Sequence, residues 1–340
     1  MGFLGRFLSS YSESFAAALV AWPFASFALT LPILAILYRR DGRIRALSAA
    51  GAYLSVLYLL GLVCFTLYPL PEGDSGPGIT YGLDPIWNPL HFVGDIAADG
   101  TPAVAQLVAN VALFVPFGFI AGRGMRLGAP ASAALGFLAS LGIELAQLTG
   151  LFGVYPYAYR TFETTDLATN TLGAFCGWLL ARASLRVLPD PGRLAPAAVT
   201  ESPGIVRRAV AFCIDMALAA AASAIAGSGL LLLALYALGG PPASAASLPV
   251  LALLGTAAVL AVEVAVPWRR GGQTPGGAFV RMTCETRERQ GARRVAFYVA
   301  RTFVILCAVG LPGIEPRLTL VPLACLVFYL FKRKMPYDLI

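Results

Sequence analysis

The sequence contains few charged side chains and almost no histidine. Only 13% of its 340 residues are charged, and His91, in a predicted loop, is the single histidine. A water-soluble domain of ordinary surface carries about 25% charged residues, so the sequence excludes that class of protein. The six cysteines include no Cys-x-x-Cys pair, which argues against a structural zinc site and a disulfide framework. No nucleophile–base pair or set of metal ligands is found, so we predict no catalytic residue, metal or cofactor, and a non-enzymatic role is favoured.

Apolar residues make up 58% of the chain and occur in long runs. A transmembrane helix needs about 20 consecutive apolar residues, whereas the strands of an outer-membrane barrel alternate apolar and polar residues over about 10 positions. No such alternation occurs, so we predict an all-α, polytopic transmembrane helical bundle of about nine helices. The predicted helices lie near 15–38, 46–70, 102–122, 130–151, 166–186, 208–238, 248–267, 295–312 and 318–331.

The last two predicted helices are not clear spans. Arg301 interrupts the eighth, and only 14 residues separate Arg317 from Lys332 in the ninth. A re-entrant or interfacial hairpin is the alternative for this pair. The first apolar run has no small-residue cleavage site before it, so we expect a retained helix.

Basic residues are concentrated in every second connection between the predicted helices. They are Arg39, Arg40, Arg43 and Arg45, then Arg123 and Arg126, then those of 182–208, then those of 269–294, then Lys332, Arg333 and Lys334. The longest intervening segment, 71–101, carries five acidic and no basic residues. The positive-inside rule therefore predicts an N-terminus outside, a C-terminus in the cytoplasm and a multi-pass protein of the cytoplasmic (plasma) membrane. The net charge of +7 is explained by these connections, so we predict membrane lipids and not nucleic acid as partners.

A proline-rich cytoplasmic linker divides the chain into two predicted modules. Proline prevents helix formation and stiffens an extended spacer. We therefore predict a transmembrane module over 1–186 with five helices, a linker over 187–203 and a second transmembrane module over 204–340 with four. Whether the protein forms a homo-oligomer is left open.

Polar side chains of the first module gather on the predicted outer side of the membrane. A charged group within a span costs ~3 kcal/mol, so each is a functional candidate. The candidates are Asn110 on the third helix, Glu144 and Gln147 on the fourth, Arg160 in the following loop, and Asp166 and Asn170 on the fifth. Gly173 and Gly177 share a face with the last two and form a close-packing motif. We predict one outward-facing polar cluster that binds a ligand.

Two other interpretations of this cluster stay open. Glu144 and Arg160 could form a buried ion pair while Asn110 and Asn170 hold helices together through hydrogen bonds. A buried carboxylate could also act as a proton relay or general acid, although no partner of a catalytic pair accompanies it.

The motifs of this module resemble the VanZ-like family over about residues 15–185. They are Asn88-Pro89, Asn110-x3-Phe-x-Pro-x-Gly118, Ser140-x3-Glu144-x2-Gln147 and Arg160-x5-Asp166-x3-Asn170-x2-Gly173. The resemblance implies a bacterial cell-envelope protein of the inner membrane, of the kind associated with antibiotic resistance to the glycopeptide teicoplanin. It implies no particular reaction.

The second module has its own set of spaced polar residues. Arg208 and Asp215 are seven residues apart and share a helix face, and a glycine-rich loop lacks the lysine of a phosphate-binding loop. The set resembles the RDD family over about 203–340, through Arg208, Asp215, Gln273, Thr274, Gly276, Arg301 and Asp338. Gly277 stands where that family usually has lysine. The resemblance implies a membrane protein with a suspected transport role.

Two functions follow from these patterns. The first is an envelope factor whose outer cluster binds a lipid-linked precursor or a glycopeptide-like ligand. The alternative is a transporter or ion-coupled carrier that uses Glu144 from outside and Asp215 or Glu263 from inside. A single alternating site would need these carboxylates near one midplane position, which ranks the carrier lower.

Overall fold

A computed structural model shows an α-helical protein. It describes residues 3–68, 70, 84–158, 160–187, 198–238, 244–309 and 315–340. No strand forms within these ranges, and extended pairing is confined to the isolated bridges Ile86 to Glu163 and Thr200 to Met282. The predicted all-α fold class is confirmed. Glu72 and Asp74 of the acidic segment and most linker prolines lie outside the described residues.

Nine of the helices lie close to the predicted positions, although the first begins at Phe3 where the prediction was near residue 15, and the short helices over 91–99 and 275–279 were not predicted. The helices are numbered α1 (Phe3–Asp41), α2 (Ala46–Leu67), α3 (His91–Asp99), α4 (Thr101–Phe119), α5 (Ala129–Leu148), α6 (Thr164–Ser184), α7 (Ile205–Leu238), α8 (Ser244–Leu260), α9 (Pro275–Phe279), α10 (Gly291–Val309) and α11 (Leu320–Lys332). Helix α4 continues into a π-helical turn at Ile120–Gly124, and α8 into one at Ala261–Ala265. Short 3-10 turns lie at Pro316–Thr319 and Pro336–Leu339.

Six helical stretches in the described chain are long and apolar enough to cross a membrane. They are Ser12–Asp41, Ala46–Leu67, Thr101–Gly124, Ala129–Leu148, Ile205–Ala237 and Pro249–Arg269. The other three predicted spans also form helices, α6, α10 and α11, but do not belong to this set. That these three cross the bilayer, and that the N-terminus lies outside, stay predictions.

The chain divides into two compact units. The first comprises residues 1–30 and 46–195, and the second comprises 31–45 and 196–340. The last part of α1 therefore packs with the second unit, where Ala35 and Tyr38 join Val210 and Val280 in one apolar cluster. The predicted bounds of 1–186, 187–203 and 204–340 stay a prediction.

Candidate functional site

Helix α6 packs directly on the backbone of α4 through its glycines. A Cβ atom on Gly173 would lie 2.2 Å from the carbonyl oxygen of Val111, and one on Gly177 would lie 2.0 Å from that of Val115. Gly118 of α4 makes a reciprocal approach, because its Cβ would lie 1.8 Å from the carbonyl oxygen of Ala174. Only glycine permits such backbone contact between helices. This contact brings the first turns of α6 against Asn110.

Three helices are joined by a chain of polar contacts at this point. Asn110 Nδ2 donates to Asp166 Oδ1 at 2.7 Å, and Asn170 Nδ2 donates to Ser140 Oγ at 2.9 Å. Ser140 Oγ in turn donates to the Asp166 carbonyl oxygen at 3.4 Å. The structure therefore brings Asn110, Asp166 and Asn170 together, as the predicted cluster requires. It also contains the hydrogen bonds between helices that the alternative interpretation expects of Asn110 and Asn170.

Glu144 lies on the same face of α5 as Ser140 and is 2% exposed. Its Oε2 accepts a hydrogen bond of 2.9 Å from the backbone N–H of Glu163, just before α6. Neither Glu144 nor Asp166 forms an ion pair within the described part of the chain. Arg160 interacts with Glu144 and Asp166 through long-range electrostatics. Its guanidinium Nη2 lies 3.5 Å from the Tyr68 carbonyl oxygen.

The residues Asn110, Ser140, Glu144, Asp166 and Asn170 are called the acidic cluster. Two further observations concern its hydrogen bonds. The Oδ1 atom of Asn170 is buried and accepts no hydrogen bond from the described residues. Gln147 makes its described hydrogen bond outside the cluster, since its Nε2 donates to the Thr66 carbonyl at 2.7 Å and ties α5 to α2. The sequence did not single out Ser140 as a site residue, although its position one turn before Glu144 indicated the shared face.

The segment around Ile86, for which we predicted no secondary structure, forms hydrogen bonds with the residues at the start of α6. Ile86 N donates to the Phe162 carbonyl at 2.8 Å, and Thr164 N donates back to the Ile86 carbonyl at 3.1 Å. The Trp87 and Phe162 rings lie 5.1 Å apart. The assignment of His91 to a loop was wrong: His91 begins α3, and its Nε2 lies 3.4 Å from Asp95 Oδ1 one turn later. An i,i+4 contact of this kind favours the helix.

The second unit pairs its polar residues within itself. Arg208 of α7 forms an ion pair of 2.7 Å with Asp338 near the C-terminus. Both carboxylate oxygens of Asp215 are bonded at 2.6 Å, one to Thr274 Oγ1 and the other to the N–H of Gly276. These two hydrogen bonds hold the start of α9 against α7.

Two loop residues of the same motif show different roles. A Cβ on Gly276 would lie 2.2 Å from the Ala211 carbonyl oxygen, so glycine is required at this contact. Gln273 contributes its backbone N–H to the Arg270 carbonyl within the turn. The structure therefore brings Thr274 and Gly276 to Asp215. For Gln273 it shows only this backbone hydrogen bond among the described contacts.

Arg301 has a partner that the set of predicted motif residues did not include. Its Nη1 donates to the Glu263 carbonyl at 2.9 Å, and its Nη2 pairs with Glu263 Oε2. Glu263 is fully buried in the π-helical turn after α8. The sequence analysis named Glu263 only for the carrier alternative, and it did not name Arg289, which is buried and donates to the Asp338 carbonyl at 3.0 Å. A charge within an apolar helix was the available signal for Glu263.

Comparison with known families matches a part of each unit. Residues 55–186 match the model of the VanZ/LLP1 family, and residues 202–340 match the model of the RDD family. The chain carries a VanZ-like domain followed by an RDD domain. Both resemblances indicated by the motifs are thereby confirmed, in the predicted order. No curated protein and no solved structure matches the chain.

Every predicted site residue lies within one of the two matched domains. The acidic cluster, Gln147 and Arg160 belong to the VanZ-like domain, and the residues from Arg208 to Asp338 belong to the RDD domain. With six long apolar helical stretches in the described chain, the protein is a multi-pass membrane protein of the cell envelope. That the site residues bind a ligand stays a prediction.

The pH dependence of the VanZ-like domain can be followed at Glu163. Burial and the nearby charge of Asp95 raise the pKa of Glu163 above 4.5, against a smaller lowering effect of His91. A carboxyl whose pKa is raised on folding binds its proton more tightly in the native state, so stability is lost as pH rises from 4.5 through the native pKa. We expect thermal unfolding to show that Glu163→Gln removes this loss. A pH dependence that is identical in wild type and variant would contradict the assignment.

Proposed function

We propose that the VanZ-like domain binds a polar envelope ligand, lipid-linked or glycopeptide-like, at the acidic cluster. The observation that carries the proposal is that two helices contribute carboxylates, the buried Glu144 and the half-buried Asp166, without an ion pair in the described chain. A buried carboxylate is stable only with donors or positive charge near it, and each ionised carboxylate can accept several hydrogen bonds. A ligand with hydroxyl, amide or amine donors supplies what the cluster lacks.

The unpartnered Oδ1 of Asn170 supports the same ligand chemistry. This oxygen is a further acceptor on the α6 face that holds Asp166. A buried acceptor without a donor costs about 1–3 kcal/mol, and a ligand N–H or O–H would remove that cost. The cluster thus presents acceptors to a donor-rich ligand.

The proposal places the protein in the cytoplasmic membrane with the acidic cluster at its outer side. Basic residues in alternate connections support this orientation, since they favour the cytoplasmic face. An outer site would meet lipid-linked precursors and externally applied glycopeptides. The carrier alternative stays a prediction, and Glu144 and Asp215 belong to different domains.

The test measures binding of teicoplanin and of a lipid-linked peptidoglycan precursor to the purified chain in nanodiscs. Loss of one charged hydrogen bond is worth about 1.5–3 kcal/mol, so Glu144→Gln and Asp166→Asn should each weaken binding roughly 10- to 100-fold. In a host that wild type protects, both variants should lose glycopeptide resistance. Thermal unfolding in parallel reports the structural role of each side chain.

Asp95→Asn is the matched control, because Asp95 is an acidic residue of the same domain with an exposed side chain paired to His91. It should bind both probes as wild type does. Wild-type binding by Glu144→Gln and Asp166→Asn, with lower stability, would assign the cluster to helix packing and sink the proposal.

A further inference from the structure

A partly open cavity of about 200 Å³ lies within the RDD domain. Its walls come from α7, through Ala209 and Phe212, and from α10, through Val304 and Ala308. Ala209 and Ala308 are exposed, so the cavity opens at these residues. A cavity of about 150 Å³ holds a molecule the size of benzene. This one therefore has room for a small organic molecule.

The buried side of the cavity carries a carboxyl group without an ion-pair partner in the described chain. Asp215 lines it and is 1% exposed, and its two oxygens accept only from Thr274 and Gly276 among the described residues. A carboxylate has about four acceptor positions, so further capacity remains.

The guanidinium groups that line the cavity are already engaged. Arg301 is paired with Glu263, and Arg208 with Asp338. The charges of Glu263 and Arg301, which have opposite signs, both act on Asp215. These three groups together comprise two carboxylates and one guanidinium. When all three groups are ionised their net charge is −1, which a single positive charge in the cavity would balance.

The remaining lining decides what kind of cation fits. Phe212 and Tyr337 contribute aromatic rings, which attract organic cations and are typical of quaternary ammonium sites. A hard inorganic cation takes several oxygen ligands, whereas most of this lining is apolar. We propose that the cavity binds a small apolar organic monocation, with its ammonium group at Asp215 and its hydrocarbon part between α7 and α10. The inference does not depend on the acidic cluster of the VanZ-like domain.

The test compares phenyltrimethylammonium with tert-butylbenzene, its uncharged isostere, on the full chain in nanodiscs. Binding is followed by the thermal unfolding midpoint and by methylthiolation of Cys284, which lines the cavity, with peptide mass spectrometry as readout. We expect the cation to slow modification of Cys284 about tenfold or more, since a bound molecule blocks access to the thiol. Cys307 and Cys325 are buried outside the lining and serve as internal controls that should not change.

Two variants separate charge from space. Asp215→Asn should weaken binding of the cation about tenfold or more and leave tert-butylbenzene unaffected. Ala209→Phe fills the opening and should abolish protection by both probes. Ala220→Phe, on an exposed face of α7 outside the lining, should behave as wild type.

The comparison of the two probes stands even where Asp215→Asn does not fold. Equal effects of the cation and its isostere would overturn the proposal, as would no protection of Cys284 or protection that persists in Ala209→Phe. Sodium chloride at equal ionic strength must give no protection. If it protects Cys284 as well as the cation does, an inorganic ion occupies the cavity and the proposal fails.

Discussion

Arg301→Ala is expected to lower the free energy of unfolding by about 3–5 kcal/mol, because it leaves the fully buried Glu263 carboxylate without its charge partner. It also removes the donor to the Glu263 carbonyl, at 2.9 Å. The loss should be measured by denaturant titration of the full chain in detergent micelles.

Arg317→Ala is the matched control for this prediction. Arg317 also faces a glutamate, Glu315, but at 3.9 Å and with its side chain 90% exposed. Exposed pairs contribute about 0–1 kcal/mol, so this variant should unfold nearly as wild type does.

Joint replacement of both buried partners gives an internal check. Arg301→Met combined with Glu263→Met should be less damaging than Arg301→Ala, since no uncompensated charge remains. If the double variant is the less stable of the two, the loss does not come from the orphaned carboxylate.

Gly177→Ala is expected to destabilise the VanZ-like domain by about 1–3 kcal/mol, because its methyl group would lie 2.0 Å from the Val115 carbonyl oxygen. Both the added atom and its neighbour belong to rigid helices, so α6 must move away from α4. This movement would separate Asp166 from Asn110 and weaken the acidic cluster.

Gly142→Ala is the control for this substitution. Gly142 lies in helix α5, and a Cβ there would meet no atom within 4 Å. Alanine favours a helix over glycine by about 0.5–1 kcal/mol, so this variant should be neutral or more stable. Equal destabilisation by the two variants, measured by thermal unfolding, would show that backbone contact at Gly177 is not the cause.

The fold was more predictable from sequence than the pairing of side chains. All nine predicted helices form, because long apolar runs must satisfy their backbone internally in lipid. The short helix α3 was missed, and His91 was assigned to a loop, because the segment is neither long nor apolar enough to produce that signal.

The candidate sites show the same division. Spacing along a helix placed Asp166 with Asn170 and Glu144 with Gln147, since residues three or four apart share a face. Spacing contains no information about the helix opposite. Gln147 therefore turned out to bind α2, and Glu144 to accept from the backbone before α6.

The sequence by itself determined that this is a helical membrane protein, because charged residues are scarce and apolar residues occur in long runs without strand-like alternation. The spacing of its few polar residues determined which helix faces carry them. Only the tertiary structure decided the partners of those groups. Arg208 meets Asp338 across 130 residues of sequence, and Arg301 meets Glu263 across 38. The physical reason is that a buried charge requires a partner, and the identity of that partner depends on which helices pack together.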